Sequence, residues 1–303
     1  MIKSGTYIRR VESSSHSEFS VCAVIVTYHP SAAMLENMAK VLPQVHGLVV
    51  VDNGSTAEEL KALRAASQAH GFHLIENKEN LGIAEALNQG VLWAKSEAYP
   101  WVILFDQDSK ITDGFIPHML ETYHNASNRE EVAIIAPTYV DVASGLHQPL
   151  MQAGNGEILL TMASGSMMPS SVLKNLGPFD ESLFMDYVDT EFCLRARRKG
   201  MLIIQSSAIL FHSCGRITRH RFLGRSFATT NHSVARRYYI TRNRLQLLTS
   251  YASDWPWAWR ETKAMLSEAT KIALVENEKC GKFRAMVMGM IDALSRVGKK
   301  IKL

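Results

Sequence analysis

Three observations predict an α/β fold on a mostly parallel sheet covered by helices. Apolar runs alternate with helical patterns, each run ends in polar or glycine-bearing residues, and 303 residues at 47% hydrophobic content suffice for a buried core. The first run is VCAVIVTY (21–28), followed by a helical pattern over 32–42. GLVVVDNGS (47–55) is the second run, and a helix is expected over 57–69. FHLIENKENLG (72–82) is the third, leading into a helix over 83–95, and WVILFDQDS (101–109) is the fourth. The order β-α-β-α-β-α-β places ligands at the carboxyl ends of the strands, where the polar residues fall.

WVILFDQDS ends on Asp106 and Asp108, one residue apart. Residues i and i+2 of an extended chain share a face, so the two carboxylates meet water together, as hard oxygen ligands for Mg²⁺ or Mn²⁺. A cation held by two carboxylates keeps positions open for phosphate oxygens. The same residues also suit an ordinary Asp-rich turn, and the spacing alone leaves both readings open.

The ordered set VTYHP (26–30), VDNGS (51–55), NLGIAEALNQG (80–90) and FDQDS (105–109) resembles the inverting family 2 glycosyltransferases of the GT-A fold. ASGSMMPSSVLKNLGPFDESLFMDYVDTEFCLRARRKG (163–200) and RRYYITRNRLQLL (236–248) resemble their bacterial rhamnosyltransferase branch. The resemblance covers residues 21 to about 250 and implies a Rossmann-like, mostly parallel sheet with a C-terminal helical extension. It also implies a nucleotide sugar donor, dTDP-β-L-rhamnose in first place, with Mg²⁺ or Mn²⁺ as cofactor and a glycan or lipid-linked saccharide as acceptor.

Site roles follow from that resemblance. Diphosphate leaves as the anomeric bond breaks, and a cation offsets the growing charge. Asp108 is the first candidate ligand, Asp106 faces the ribose or shares the metal, and His212 in LFHSCG (210–215) stands where many family members place a third ligand. A His after an apolar strand is often structural instead. Asp52 can accept from the N3–H of a pyrimidine while backbone groups near Thr27 and Tyr28 meet its carbonyls, and Tyr28 can stack. Asn53, Gly54, Asn80, Gly82, Asn88 and Gln107 complete the expected donor site, with Gly54 suited to a positive φ.

Inversion requires a base opposite the departing phosphate. FMDYVDTEFCLRARRKG offers Asp186, Asp189 and Glu191. Family members commonly carry a Glu-Asp pair here with the Asp as base, and aligning FCLR puts Val188 and Asp189 at that pair. Asp189 is the candidate catalytic base and Asp186 the runner-up, although acidic residues at a helix start also complement its dipole. Gly165 and Ser166 are candidates for the acceptor side. Residues 213–233, rich in arginine, read as a mobile loop closing over diphosphate.

The expected organisation is an N-terminal extension (1–20), a catalytic domain (21–250) and a basic helical region (251–303). Cys22, Cys193, Cys214 and Cys280 lack CxxC spacing, which points away from a zinc site or disulfides and toward a reducing cytoplasm. Neither a signal-peptide core nor a run of about 18 apolar residues is present, so the expected location is cytoplasmic or peripheral at the inner face of the membrane. Residues 1–194 hold 11 Lys+Arg against 23 Asp+Glu, net −12, whereas 195–303 hold 22 against 6, net +16. A basic final third suits an anionic membrane or a pyrophosphate-linked substrate, while no nucleic-acid motif accompanies it. The helices after Trp255 can pack on the domain, pair with another copy or lie on a membrane, and Trp255, Trp257 and Trp259 favour an interface. Two rival readings remain: a nucleotidyltransferase, which would want a Gly- and Lys-rich triphosphate loop, and a non-catalytic carbohydrate- or membrane-binding module.

Overall fold

The computed structural model describes residues 17–213, 218–222 and 225–295. Most of the expected N-terminal extension, Cys214, Arg216 and the basic residues Arg296, Lys299, Lys300 and Lys302 lie outside the described residues. The chain begins as the alternation predicts: β1 (Val21–Thr27), α1 (Ala32–Val41), β2 (Gly47–Asp52), α2 (Ala57–His70), β3 (His73–Glu76), α3 (Ile83–Ser96) and β4 (Trp101–Asp106). Next come β5 (Lys110–Ile111), α4 (Phe115–Asn125), β6 (Val132–Asp141), β7 (His147–Gln148), β8 (Met151–Gln152), β9 (Ile158–Leu160), β10 (Met167–Pro169) and α5 (Ser170–Leu176). The remainder is α6 (Val188–Arg198), β11 (Leu202–His212), β12 (Thr218–Phe222), β13 (Arg225–Thr229), α7 (Val234–Ser250), α8 (Trp255–Leu274) and α9 (Lys279–Ser295).

The main sheet runs β3-β2-β1-β4-β10-β6-β11-β5, with β7 paired to β6. β1 is parallel to β2 and β4, β2 to β3, and β6 to β11. Short β10 lies antiparallel between β4 and β6, so those two point the same way. One sheet edge therefore gathers the carboxyl ends of β1, β2, β4 and β11, which are Thr27, Asp52, Asp106 and His212. Every residue of β1 is buried because the sheet is covered on both faces. Cys22, Val24 and Val26 pack with residues of α3 and α6, and Val21, Ala23 and Ile25 with residues of α1 and α4.

Two expectations are corrected. Within 213–233, β12 and β13 pair as an antiparallel hairpin with Thr218 opposite Thr229, and the His220 ring stacks on Phe227. Alternating β-branched and aromatic residues between the arginines support those strands. The three tryptophans also divide: Trp257 is wholly buried, whereas Trp255 and Trp259 stack on the surface at 5.9 Å between ring centres. Helix geometry explains this, since residues four apart share a face and the one between them does not.

The C-terminal helices are bound to α7 by charge. Arg237 pairs with Glu268 and Glu276, Arg244 with Glu261 and Glu268, and Lys282 with Glu276. Both arginines and Lys282 are buried, and such cations persist inside a protein only when paired. Cys22, Cys193 and Cys280 are free thiols.

Candidate active site

A cavity of about 750 Å³ opens at the carboxyl edge of the sheet. Thr27, Tyr28, Asn53, Asn80, Gly82, Asp106, Gln107, Asp108 and His212 line it, so most of the residues singled out from sequence meet there. Gln107 ties two strand ends together: its Oε1 accepts from the Tyr28 N–H at 2.9 Å and its Nε2 donates to the Tyr28 carbonyl at 3.2 Å. Tyr28 is 40% exposed, leaving its ring open to the cavity side.

Asn53 organises the next wall. Its Nδ2 donates to Asn80 Oδ1 and the Gly82 carbonyl, both at 3.1 Å, while its Oδ1 accepts from Asn77 Nδ2 and the Leu81 N–H. Gly54 at φ 94° and Gly82 at φ 95° are obligatory glycines, because an added Cβ would lie 2.5 Å from the Glu79 carbonyl carbon and 2.6 Å from the Phe184 carbonyl oxygen.

Two donor-site expectations depart from this geometry. Asp52 is fully buried and outside the cavity lining; its carboxylate accepts from Thr27 Oγ1, the Gly54 and Ser55 N–H groups and Ser55 Oγ. With four donors on two oxygens, it holds the turn. Asn88 faces a different loop, donating to the Phe179 carbonyl and Glu181 Oε1 and accepting from the Phe179 N–H. Neither interaction is encoded in spacing.

The cavity floor holds a cluster of Asp106, Asp108 and His212, one ligand atom of each lying within 4.8 Å of the others. Burial and then the adjacent Asp108 carboxylate push the Asp106 carboxyl up to about 6, with His212 opposing and Asp189 adding to the rise. His212 Nδ1 is buried without a hydrogen-bond partner. Crowded carboxylates and an orphaned ring nitrogen are the donor set a divalent cation would satisfy, so the residues present fit one.

Asp189 sits in the first turn of α6 and is partly buried. Its Oδ1 accepts from the Thr190 N–H at 2.7 Å. Burial raises its pKa above the usual carboxylate range, and the Asp186 charge adds to the rise. It lies beside the main cavity, in a hollow shared with Met162, Ala163 and Phe192. The other two carboxylates of that stretch are engaged: Asp186 is paired with Arg236, and Glu191 binds Arg195 and the Tyr251 hydroxyl. Gly165 and Ser166 are interior residues. Gly165 is wedged against Pro137 and Leu210, and Ser166 donates to the Met162 carbonyl.

Sequence reasoning missed what shapes the 182–187 loop. Phe184, Asp186 and Tyr187 all have positive φ, at 62°, 58° and 67°. Such a run of non-glycine residues persists only where its surroundings over-determine it. Asn243 of α7 supplies that constraint, its Nδ2 donating to the carbonyls of Leu183, Met185 and Asp186 at 2.7–2.9 Å. Arg242 adds bonds to the Ser182 and Leu183 carbonyls and holds Asn243 Oδ1. Thr230 and His232, inside the segment expected to close over diphosphate, and Arg236 just after it form a cavity wall. Burial, with Arg236 and Arg237 nearby, lowers the His232 pKa and favours the neutral ring.

Residues 22–162 match the model of glycosyl transferase family 2. Those 141 residues, just under half of the chain, match as a family 2 glycosyltransferase domain. The enzyme is 29% identical over 291 residues to the dTDP-rhamnosyl transferase RfbF of Shigella flexneri, covering 91% of this chain and 95% of that one. Among solved structures, it superposes on S. aureus TarS 1–349 with a TM-score of 0.58 at 15% identity, covering 90% and 80% of the two chains. It also superposes on the mannosyltransferase PcManGT from Pyrobaculum calidifontis, solved with GDP-Man and Mn²⁺, with a TM-score of 0.54 at 14% identity and coverage of 91% and 86%. The glycosyltransferase thus has the GT-A fold, and the comparisons favour neither the nucleotidyltransferase nor the binding-module reading.

Proposed function

We propose that the enzyme transfers L-rhamnose from dTDP-β-L-rhamnose, with inversion, to a hydroxyl of a glycan or lipid-linked saccharide in cell-surface polysaccharide synthesis. The observation that carries this reading is the meeting, in one cavity, of the Asp106–Asp108–His212 cluster with the strand-end loops of the family 2 domain. The likeness to RfbF along nearly the whole chain supports rhamnose as the sugar.

In this reading Asp106, Asp108 and His212 hold Mg²⁺ or Mn²⁺, which when bound offsets the charge that grows on the leaving diphosphate. Thr27, Tyr28, Asn53, Gly54, Asn80, Gly82 and Gln107 shape the nucleotide side, with Asp52 fixing the turn beneath them. Asp189 accepts the proton of the acceptor hydroxyl as that oxygen attacks the anomeric carbon from the face opposite the phosphate. The anomeric C–O bond breaks, the electron pair leaves with dTDP, and the β-linked donor gives an α-L-rhamnoside. Arg236, on the cavity wall, offers a guanidinium to phosphate oxygens. Free buried thiols at Cys22 and Cys193 support a cytoplasmic location.

The test is donor turnover. Purified enzyme is incubated with dTDP-rhamnose and a panel of UDP- and GDP-sugars, with Mn²⁺ or with chelator, and free nucleotide diphosphate is measured. Release from dTDP-rhamnose that chelator abolishes is expected. Preferential release from another sugar nucleotide would reassign the donor, and full turnover in chelator would remove the metal.

A further inference from the structure

The outer face of α9 is apolar and carries no carboxylate. Phe283, Val287, Met288, Ile291 and Leu294 are 38–79% exposed, and their spacing follows the helical turn, so they form one stripe. The opposite face is already used. Gly289 lies so close to α7 that an added Cβ would be 2.8 Å from the Tyr238 carbonyl oxygen, and Asp292 accepts from the Tyr238 hydroxyl at 2.7 Å. The helix's one acidic residue is thereby turned inward. Its exposed charges, Lys279 and Arg284, are both positive. The sequence continues as RVGKKIKL, with four basic residues and no acidic one.

A contiguous exposed apolar stripe marks an interaction surface. Two copies meeting stripe to stripe would bring these cations together with no carboxylate on the helix surface to pair them. An anionic bilayer offers negative charge and apolar depth at the same place, the combination that holds an amphipathic helix in the headgroup region. We propose that α9 lies flat on an anionic membrane with Val287 and Ile291 at the centre of the docking face. No helix among the described residues is long and apolar enough to cross a bilayer, so the contact is lateral. The inference deepens the proposed function by bringing a lipid-linked acceptor within reach, and rests on it for that purpose alone.

The test uses the full-length enzyme with phosphatidylglycerol-rich and pure phosphatidylcholine vesicles, without acceptor. Wild type should co-sediment with the anionic vesicles, bind the neutral ones weakly, and release as salt rises. The double variant Val287→Asp, Ile291→Asp should lose about tenfold or more of the bound fraction while its melting temperature and donor hydrolysis stay unchanged. Leu92→Asp, at an exposed apolar position on α3, should bind as wild type does. No binding by wild type, equal binding by the double variant, equal binding to both vesicle types, or a wild-type dimer that the double variant dissociates would each overturn the proposal. Failed donor turnover alongside intact vesicle binding would instead refute the glycosyltransfer reading.

Discussion

Burial, and then the nearby Asp108 carboxylate, make Asp106 resist ionisation, and the sign of that effect gives a test. In the folded chain Asp106 holds its proton up to about pH 6, against an ordinary value of 3.8. Its contribution to metal-free stability is thus full at acid pH and disappears as pH rises through about 6. If the proposed divalent cation binds the ionised pair, the gain in melting temperature on adding Mn²⁺ should be larger at about pH 7.5 than at about pH 5, and absent in Asp108→Ala. An equal gain at both pH values would detach these carboxylates from the metal. For Asp189→Asn, turnover should fall by roughly 10²- to 10⁴-fold with donor affinity kept. Because burial raises the Asp189 pKa, the wild-type rate should fall on the acid side above the pH expected of an ordinary aspartate. A variant that turns over at the wild-type rate would take the base role from Asp189.

The loop between α5 and α6 depends on a helix far along the chain. Asn243→Ala takes the donor from the Met185 and Asp186 carbonyls of a positive-φ loop, while Leu183 keeps its bond from Arg242, and a loss of about 2 to 4 kcal/mol in chemical denaturation is expected. Turnover should fall further than that loss explains, since Phe184 and Met185 of the same loop line the cavity. Unchanged kinetics in a folded variant would make the clamp purely structural. The first four strands, and with them Thr27, Asn53 and Asp106, could be read from sequence, because a parallel sheet gathers its carboxyl ends on one edge. Asp189 could be placed at a helix start, but not its position beside the cavity. The four hydrogen bonds of Asp52 could not be read, because they depend on the turn's closure, which residue type does not reveal. α7 was hidden for another reason. RRYYITRNR has no apolar stripe, and its Arg237 and Arg244 are accommodated in the core by Glu261, Glu268 and Glu276 from the chain that follows it.

The whole chain divides into an acidic and a basic part, yet much of the basic charge is used internally. Arg237, Arg244 and Lys282 are matched there by Glu261, Glu268 and Glu276, three charges against three, so this pairing leaves the net positive surplus of the basic part intact. A chain ending at Ser253 would lose all three glutamates and strand Arg237 and Arg244 in the interior. Removing the partner of a buried charge costs about 3–5 kcal/mol. The truncated chain should therefore show no cooperative melting transition and no dTDP release; a folded, active truncation would make residues 251–303 the separate unit expected from sequence. The clamp of Asn243 on the 182–187 loop also has a consequence for biosynthesis. Strands β1 to β4 pair mainly with near neighbours in sequence and can assemble while the rest of the chain is still on the ribosome. The loop has to wait for α7, and α7 for the helices that neutralise its arginines. A nascent chain should then pair its first strands before the walls formed by Phe184, Met185 and Arg236 are in place, so an unfinished chain would have an ordered sheet edge without a complete cavity.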